Sequence, residues 1–451
     1  MRRSLDPQLP IVHPSVQHDH ADELKTISGI LDDEPEILEL VLADLVDGGI
    51  LDDDGREGMT AEQVLRSLVV KQMNGFSYDE LAFHLADSRS YRSFCRFGFE
   101  AKMPSKSTLQ RNIKKLKPET LEAVNRALVG RAVREKIERG RKVRFDCTVV
   151  ETDIHEPSDS WLLWDCVRVL VRLMKQASQL AQCRFTDHSR RAKRRAMAIQ
   201  NAKKESERVK LYKDLLGVAG RTVGYARQVS VTVRKDGGSD LKQIALAIHV
   251  ANQLDHFVSL AQRVISQTQR RVLHGEQVPA QDKVLSIFEP HTDIIIKDRR
   301  DTLYGHKVCL SAGASGMVLD CVVEKGNPAD STLAVPLVKR QKVLFGRVPR
   351  QATFDGGFAS RNNLVEIKRL GVNDVVFSKG RSLEVTDMVK SVWVFRQLRK
   401  FRAGIEGIIS FLKRCFGLDR CTWSGLRSFR AYAWGAIISA NLLVMARHML
   451  A

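Results

Sequence analysis

The spacing of apolar residues changes along the chain and divides it into regions. From Thr60 to about residue 140, apolar positions recur every three or four residues, which predicts several short helices. At Lys142 the spacing becomes two, and β-branched and aromatic residues predict a strand that ends near Ile154. From Trp161 to about His274 the helical spacing returns over a long stretch.

Capping and turn residues predict where the N-terminal helices begin and end. Thr60 and Ser77 stand where a side-chain oxygen can cap a helix, and Asn74-Gly75 ends the first of the two helices. Pro104-Ser105 precedes a further helix, and Pro118 begins one that runs to about Ile137. The N-terminal region is therefore predicted to be all-helical.

After Pro279 the pattern alternates between strands and helices. The predicted strands are Lys283–Phe288, Asp293–Lys297, Lys307–Ala312, Val318–Glu324, Arg350–Phe354 and Asp374–Phe377; the predicted helices are Ser331–Leu344 and Ser360–Leu370, with mostly helix from about Met388. A run of strands followed by alternating helices and strands favours one mixed sheet covered by helices. The predicted fold class is therefore α/β, with flanking helices, an all-helical N-terminal domain and a helical insertion.

The order of these regions predicts how the chain is organised. A chain of 451 residues exceeds one typical core, and Asp52–Gly55 marks a break near its start. We expect four segments: a helical N-terminal domain over 1–140, the first core strand over 141–159, a basic helical insertion over 160–280 and the remainder of the core over 281–451.

The chain carries a large excess of positive charge. Its formal net charge is +19, which favours an anionic partner, with nucleic acid as the default candidate and a membrane surface as the competing one. The alternative interpretation is a basic protein that its charge keeps soluble. The longest basic run lies in the predicted insertion and comprises Arg190, Arg191, Lys193, Arg194, Arg195, Lys203, Lys204, Arg208, Lys210 and Lys213. Such a run is often only a solvated helix face, but the overall charge favours contact with phosphates, and Arg194 and Arg195 are our candidates.

The helix after Pro104 is a second candidate for contact with DNA. Ser107, Gln110 and Arg111 are small polar and basic side chains near its start, where they could reach phosphates and base edges. Short helices joined by turns suit a helix-turn-helix reader. The alternative interpretation is an ordinary helical bundle with solvated polar residues.

The cysteines and the most apolar stretch indicate an intracellular protein. None of the eight cysteines forms a CxxC pair, so we expect core packing, with neither zinc nor disulfides. The stretch Ala431–Ala446 is interrupted by Ser439 and Asn441 and is too short to span a bilayer, so it is predicted to be a buried helix. We therefore expect a soluble, intracellular protein that does not associate with membrane.

Two aspartates stand out by their position in strands. Asp146 lies within the apolar strand that begins at Lys142, and Asp355 directly follows a predicted strand and precedes Gly356-Gly357. A carboxylate beside glycines that let a ligand approach is a plausible metal ligand. The alternative interpretation of each acid alone is a turn or cap carboxylate.

A third acid, Glu406, lies on a predicted amphipathic helix between two cations. At about 100° per residue, Arg402, Glu406 and Lys413 fall within about 40° of one another on one helix face. The alternative is an exposed pair of residues four apart with a nearby lysine. The functional interpretation places Glu406 on metal and the two cations on phosphate.

Three carboxylates are a sufficient protein ligand set for phosphodiester chemistry. Attack on a phosphodiester requires a deprotonated nucleophile, in-line geometry and neutralised charge on the leaving oxygen, and two Mg²⁺ ions supply all three. Mg²⁺ prefers oxygen ligands and keeps several waters, so Asp146, Asp355 and Glu406 would suffice, with Mn²⁺ as a substitute.

The residues in this order resemble those of a known family. Phe145-Asp146-Cys147-Thr148, Asp355-Gly356-Gly357 and the helical Arg402, Glu406 and Lys413 resemble the catalytic segments of the bacterial insertion-sequence DDE transposases, which have an RNase H-like core. Tyr304–Val308 and Gly326–Ser331 resemble the middle strands of that core and the start of its next helix. Length and order suggest the ISNCY group. The resemblance covers most of the chain from about residue 59 and is weakest over 160–280.

The resemblance implies an activity and partners. Such an enzyme binds terminal inverted repeats, cuts DNA with metal ions at Asp146, Asp355 and Glu406, joins the ends to target DNA, and assembles as a homo-oligomer on paired ends. One departure is Arg399, which stands where the family often has tyrosine and could contact phosphate instead. Glu151 and Asp153 are alternatives for the first acid. The alternative functions are an inactive DNA-binding regulator and a nuclease that does not join strands.

Overall fold

The computed structural model describes residue 4 and residues 17–46, 58–98, 101–297, 301–380 and 382–451. The break predicted at Asp52–Gly55 lies outside these ranges. The chain divides into two compact units, one of Met1–Thr152 with Gly305–Ala451 and one of Asp153–Tyr304.

Short helices form the N-terminal part of the first unit, as the spacing predicts. They are α1 (Asp19–Asp32), α2 (Pro35–Val46), α3 (Ala61–Asn74), α4 (Tyr78–Asp87), α5 (Arg89–Phe94), α6 (Lys106–Ile113) and α7 (Pro118–Arg134). Thr60 and Ser77 each accept a hydrogen bond from the backbone N–H of the residue three positions on. In both cases the side chain of that residue accepts a hydrogen bond from the N–H of the capping residue. Gly75 ends α3 with φ +66, a conformation that glycine adopts without a steric penalty. The predicted caps are confirmed.

The first strand and the second unit follow. Strand β1 spans Lys142–Thr152, and the second unit contains α8 (Asp159–Ala177), α9 (Ser189–Asn201), α10 (Glu205–Asp236), α11 (Leu241–Thr268), a π-helical turn (Gln269–Leu273), a 3₁₀ turn (Ala280–Asp282) and β2 (Asp293–Lys297). Its helices enclose an apolar core of their own.

The strand predicted at Lys283–Phe288 is wrong, because this segment has no strand structure. Val284 donates its N–H to Gln267 Oε1 at 2.8 Å and accepts from Gln267 Nε2 at 3.1 Å. One amide side chain thus satisfies both backbone polar groups of Val284, and Val284, Leu285 and Ile287 are buried without a strand partner.

The remaining elements belong to the first unit, apart from residues 301–304 at the start of β3, which belong to the second. They are β3 (Asp301–Ala312), β4 (Val318–Val323), α12 (Asp330–Phe345), β5 (Gln351–Phe354), a 3₁₀ turn (Gly356–Phe358), α13 (Arg361–Arg369), β6 (Asp374–Phe377), α14 (Val385–Met388), α15 (Val392–Phe416), β7 (Arg420–Cys421) and α16 (Leu426–Leu450). The hairpin predicted around Gly313–Gly316 joins β3 to β4.

The sheet of the first unit has the order β4, β3, β1, β5, β6. Strands β1, β3 and β4 are antiparallel neighbours, whereas β5 and β6 run parallel to β1, and β7 pairs with the end of β1 beyond β5. Helices α13, α15 and α16 pack against strands of this sheet. This arrangement confirms the predicted α/β class with an RNase H-like mixed sheet.

Helix α16 explains the apolar stretch near the C-terminus. It packs against α1, α3 and α7, and its polar residue Asn441 is buried. Asn441 Nδ2 donates to Asn125 Oδ1 and to the Val318 carbonyl, while its Oδ1 accepts from the Val318 N–H. With 25 residues the helix is longer than predicted and, by length and composition alone, could cross a membrane, but most of its apolar window is buried in the protein. The prediction of a buried helix is confirmed.

Candidate active site

Asp146 and Asp355 stand side by side because their strands pair in register. Phe145 on β1 is opposite Phe354 on β5, and their rings stack with centroids 4.7 Å apart. Each aspartate follows its paired phenylalanine. The Asp146 side chain is 16% exposed and that of Asp355 is 43% exposed, so the first lies deeper than the second.

The turn after β5 fixes the Asp355 carboxylate. Its Oδ1 accepts from Ser378 Oγ at 2.7 Å. Burial raises the pKa of Asp355, but hydrogen bonds from Ser378 and the Gly356 N–H and the charges of Arg402 and Lys379 outweigh burial and lower it. Asp355 is therefore held in its ionised form.

Glu406 approaches from helix α15. Its carboxylate is 66% exposed, and Oε1 accepts from Arg402 Nη1 at 2.7 Å, one helical turn away. The helical spacing predicted that these two side chains share one face of the helix, and that face is directed toward Asp146 and Asp355.

Arg402 contacts all three acids. Besides Glu406, its Nη2 lies 2.9 Å from Asp146 Oδ2 and 3.4 Å from Asp355 Oδ1. The Arg402 side chain is only 13% exposed. Its Nε is buried and finds no hydrogen-bond partner among the described residues. One guanidinium thus holds three carboxylates together while part of its own hydrogen-bonding capacity stays unused.

Arg144 fastens α15 to the sheet beside these acids. From β1, two residues before Asp146, its Nη1 donates to the Phe401 carbonyl at 3.0 Å and its Nη2 to the Gly313 carbonyl at 3.3 Å. The guanidinium also lies over the Phe401 ring. A Cβ at Gly404 would stand 2.2 Å from Arg144 Nη1, so the glycine leaves room for the guanidinium that links β1 to α15.

The environment of Asp146 disfavours its charge. Burial raises the pKa of the Asp146 carboxyl to about 6, although the Arg402 charge and the Cys147 N–H act in the opposite direction. The neighbouring Asp355 and Asp330 carboxylates contribute to the same rise in pKa. An acid that is buried beside other acids is stabilised in its ionised form by positive charge close to it.

Asp330, at the start of α12, is a fourth acid beside the site that the sequence did not single out. Its Oδ1 lies 2.8 Å from Lys307 Nζ, which also donates to the Pro328 carbonyl. A Cβ at Gly357 would stand 2.6 Å from Asp330 Oδ2, so the glycine pair after Asp355 admits this carboxylate. In the sequence Asp330 resembles an ordinary helix-starting acid, and only the tertiary structure brings it near Asp146.

The other cations predicted on α15 lie in different surroundings. Arg399 is exposed. Lys413 Nζ lies 3.2 Å from Asp419 Oδ1, so this lysine is directed to a carboxylate after its own helix. Glu151, the alternative first acid, pairs with Arg420 at 2.5 Å.

Helix α6 presents the predicted DNA-contacting residues of the N-terminal region. Ser105 caps the helix by accepting from the Thr108 N–H. Ser107 and Arg111 are exposed and Gln110 is half-buried. The apolar side of the helix is buried in the core of the first unit.

The two arginines predicted to bind DNA in the second unit differ from each other. Arg194 is exposed on α9, whereas Arg195 Nε donates to Asp214 Oδ2 at 2.5 Å. Arg191 pairs with the other oxygen of Asp214. Arg194 is thus presented to solvent, while Arg195 is engaged in linking α9 to α10.

The donor chemistry at Arg402 fits a divalent metal. Among the described residues, no group of three or more histidine, cysteine, aspartate or glutamate side chains is arranged to hold a metal ion, because Asp146, Asp355 and Glu406 surround a guanidinium instead. Carboxylate oxygens are the ligands that Mg²⁺ prefers. Three acids around one cationic group concentrate at one point the negative charge that a divalent ion needs.

Cys147 and Cys309 form a disulfide, which corrects the expectation that the protein carries none. The two residues face each other across β1 and β3, with their Cα atoms 4.1 Å apart, although 162 residues separate them in sequence. The other cysteines that the structure describes form no disulfide, and most of them are buried.

Two family models match the chain. One, described as Transposase domain (DUF772), covers residues 12–115, and the other, described as Transposase DDE domain, covers residues 296–442. The second contains Asp355, Arg402 and Glu406, whereas Asp146 lies outside both. Neither a curated protein nor a solved structure matches the chain.

Proposed function

Because the chain belongs to the insertion-sequence DDE transposases, we propose that it binds the terminal inverted repeats of its element and cuts and rejoins DNA at Asp146, Asp355 and Glu406. Its place in the ISNCY group stays a prediction. The transposase would act in the bacterial cytoplasm, on the nucleoid.

The observation that supports this proposal is the convergence of the three acids on Arg402. Asp146 and Asp355 are fixed by the pairing of β1 with β5, and Glu406 is brought in by α15. An inert scaffold gains little from gathering three carboxylates beside a fourth, Asp330, because their mutual repulsion disfavours the fold. A cation site for catalysis accounts for the arrangement.

Different residues of the chain have different roles in the proposed reaction. When bound, two Mg²⁺ ions, or Mn²⁺ in their place, supply a deprotonated nucleophile and neutralise the leaving oxygen. Asp146 and Asp355 hold them from the sheet and Glu406 from α15. Arg402, released from the acids, contacts a phosphate of the DNA, and Arg399 and Lys413 on the same helix contact phosphates nearby.

The proposed DNA contacts outside the site lie in both units. Residues 1–140 form the end-binding domain and use Ser107, Gln110 and Arg111 of α6. The core comprises 141–159 and 281–451. The insertion 160–280 contributes phosphate contacts from Arg194, and from Arg195 where it extends past Asp214. The enzyme works as a homo-oligomer that holds two ends and the target DNA.

Two variants of this account predict different products. A nuclease without strand joining would release cut ends but no joined molecules, and an inactive regulator would bind DNA without cutting it. The acids around Arg402 argue against the regulator, because DNA binding alone requires no carboxylate cluster.

The test incubates the protein with labelled terminal DNA, target plasmid and Mg²⁺, with and without EDTA. We expect cleaved ends and joined products that EDTA abolishes, and loss of both with retained DNA binding in Asp355→Asn and Glu406→Gln. Glu366→Gln is the matched control, since Glu366 also pairs with an arginine on its own helix but lies on α13. Full cleavage by the Asp355→Asn protein would contradict the proposal.

A further inference from the structure

A basic pocket in the first unit lies outside the candidate active site. Its lining comes from three separate parts of the chain, namely the end of α2, the segment that joins α6 to α7, and the first turn of α16: Asp44, Lys114, Lys115, Leu116, Lys117, Arg427 and Ser428. Four of these residues are cations and one is an acid. Residues more than 300 positions apart in sequence thus contribute to one positively charged cavity.

The single carboxylate of the pocket is already engaged. Asp44 is buried, accepts from the Lys117 N–H at 2.7 Å and lies 3.6 Å from Lys117 Nζ. Lys115 Nζ donates to the Leu45 carbonyl. Within the part of the chain that the structure describes, no carboxylate pairs with Lys114 or Arg427. The charges of these two residues are therefore available to an anion.

The first turn of α16 adds to the positive character of the pocket. No side chain caps this helix, and Arg427 and Ser428 belong to its first turn. Backbone N–H groups in the first turn of a helix lack partners within the helix, and the helix dipole is positive at this end. The two cationic side chains and this helix end together favour a phosphate group.

The pocket continues the exposed face of α6. Ser107, Arg111 and Lys114 are spaced by four and three residues, which puts them on one side of the helix. Lys114 caps the C-terminal end of α6 and also lines the pocket. A DNA backbone that follows this face would therefore bring a phosphate to the pocket.

We propose that the pocket between α6 and α16 binds a backbone phosphate of the DNA duplex held by α6, with Lys114 and Arg427 as its ligands. This inference rests on the proposed DNA binding of the N-terminal region and extends the contact surface to the C-terminal helix. The chemistry would also suit free inorganic phosphate, so the experiment has to separate the two.

The experiment measures binding of the full-length protein to a fluorescent terminal-repeat duplex by anisotropy, in EDTA, from about 50 to 300 mM KCl. Each lost phosphate contact lowers the slope of log affinity against log salt by about 1. We expect Lys114→Ala and Arg427→Ala each to lower the slope by about 1 and the double variant by about 2. Arg427→Lys should restore most of the slope, because it keeps the charge.

Arg430→Ala is the matched control, since Arg430 is exposed on α16 and does not line the pocket. If the double variant and Arg430→Ala both kept the wild-type slope, the proposed phosphate site in the pocket would be wrong, although DNA binding by the protein would stand. Failure of the wild-type protein to bind DNA would overturn the proposed function itself. Titration with inorganic phosphate at constant ionic strength should compete only at millimolar concentrations. Tight binding of free phosphate that does not affect DNA affinity would also overturn the assignment.

Discussion

Phe145 and Phe354 stack face to face across β1 and β5, with ring centroids 4.7 Å apart and planes 8° from parallel. Both rings are fully buried. Because Asp146 and Asp355 follow these residues directly, the aromatic pair sets the relative position of two of the proposed metal ligands. Packing in the core and chemistry at the surface of the sheet are coupled at this point.

Replacing Phe354 should therefore weaken the fold and the site together. Phe354→Ala should lower the free energy of unfolding by about 3–5 kcal/mol, the usual loss for a buried phenylalanine. Phe354→Leu should lower it less and still reduce Mn²⁺ affinity, which calorimetric titration would measure. Phe83→Ala removes a ring that is 61% exposed and should change neither quantity.

Gly404→Ala should reduce DNA cleavage without unfolding the protein. The added methyl group would displace the Arg144 guanidinium from the Phe401 carbonyl, and the loss of this contact between β1 and α15 should shift Glu406 relative to Asp146. A displacement of about 1 Å costs on the order of 100-fold in rate. Gly407→Ala is the control, because nothing lies within 4 Å of a Cβ built there. Equal cleavage rates for the two variants would show that Arg144 does not position α15.

Asp146→Asn should stabilise the metal-free protein at neutral pH. The pKa of Asp146 is raised in the fold, from 3.8 to about 6, so its contribution to stability is present below the lower value and is lost as pH rises through the higher one. The variant lacks this loss and should gain about 1–3 kcal/mol over wild type between pH 4 and pH 7. Urea unfolding across this range measures the difference. A constant difference at all pH values would contradict the raised pKa.

Arg402→Ala should raise metal affinity in the absence of DNA, because the guanidinium and a divalent ion compete for the same three carboxylates. Removing it should tighten Mn²⁺ binding by about tenfold, roughly 1.4 kcal/mol, and should slow DNA cleavage because a phosphate contact is lost. Arg402→Lys keeps the charge and should recover part of the wild-type behaviour in both assays. Weaker Mn²⁺ binding in Arg402→Ala would instead make the guanidinium a structural support of the acids.

Local patterns predicted much of the secondary structure and the fold class. Thr60 and Ser77 cap helices through bonds to residues three positions away, so their role is visible in a short window of sequence. The predicted strand Asp374–Phe377 has the same bounds in the structure. The segment Lys283–Phe288 has the composition of a strand, but the Gln267 side chain forms hydrogen bonds with its backbone at Val284. The residues near this segment in sequence do not indicate such a contact.

The arrangement of the site depends on tertiary contacts that local sequence patterns do not predict. The helical spacing placed Arg402 and Glu406 on one face of α15, and it did not predict that Arg402 would lie among all three acids. Lys413 shares that face but lies at the end of the helix that is near Asp419. The register of β1 with β3 brings Cys147 opposite Cys309, and the position of α12 brings Asp330 near Asp146.

The central claim is that Asp146, Asp355 and Glu406 bind the same metal ions. Crystals grown with Mn²⁺ and terminal-repeat DNA, measured at a wavelength where manganese scatters anomalously, test it most directly. The account predicts anomalous density between the three carboxylates, with the Arg402 side chain turned away from Asp146 toward a phosphate. Crystals of protein that cleaves DNA in solution, but in which Arg402 keeps its three ion pairs and manganese binds elsewhere, would contradict it.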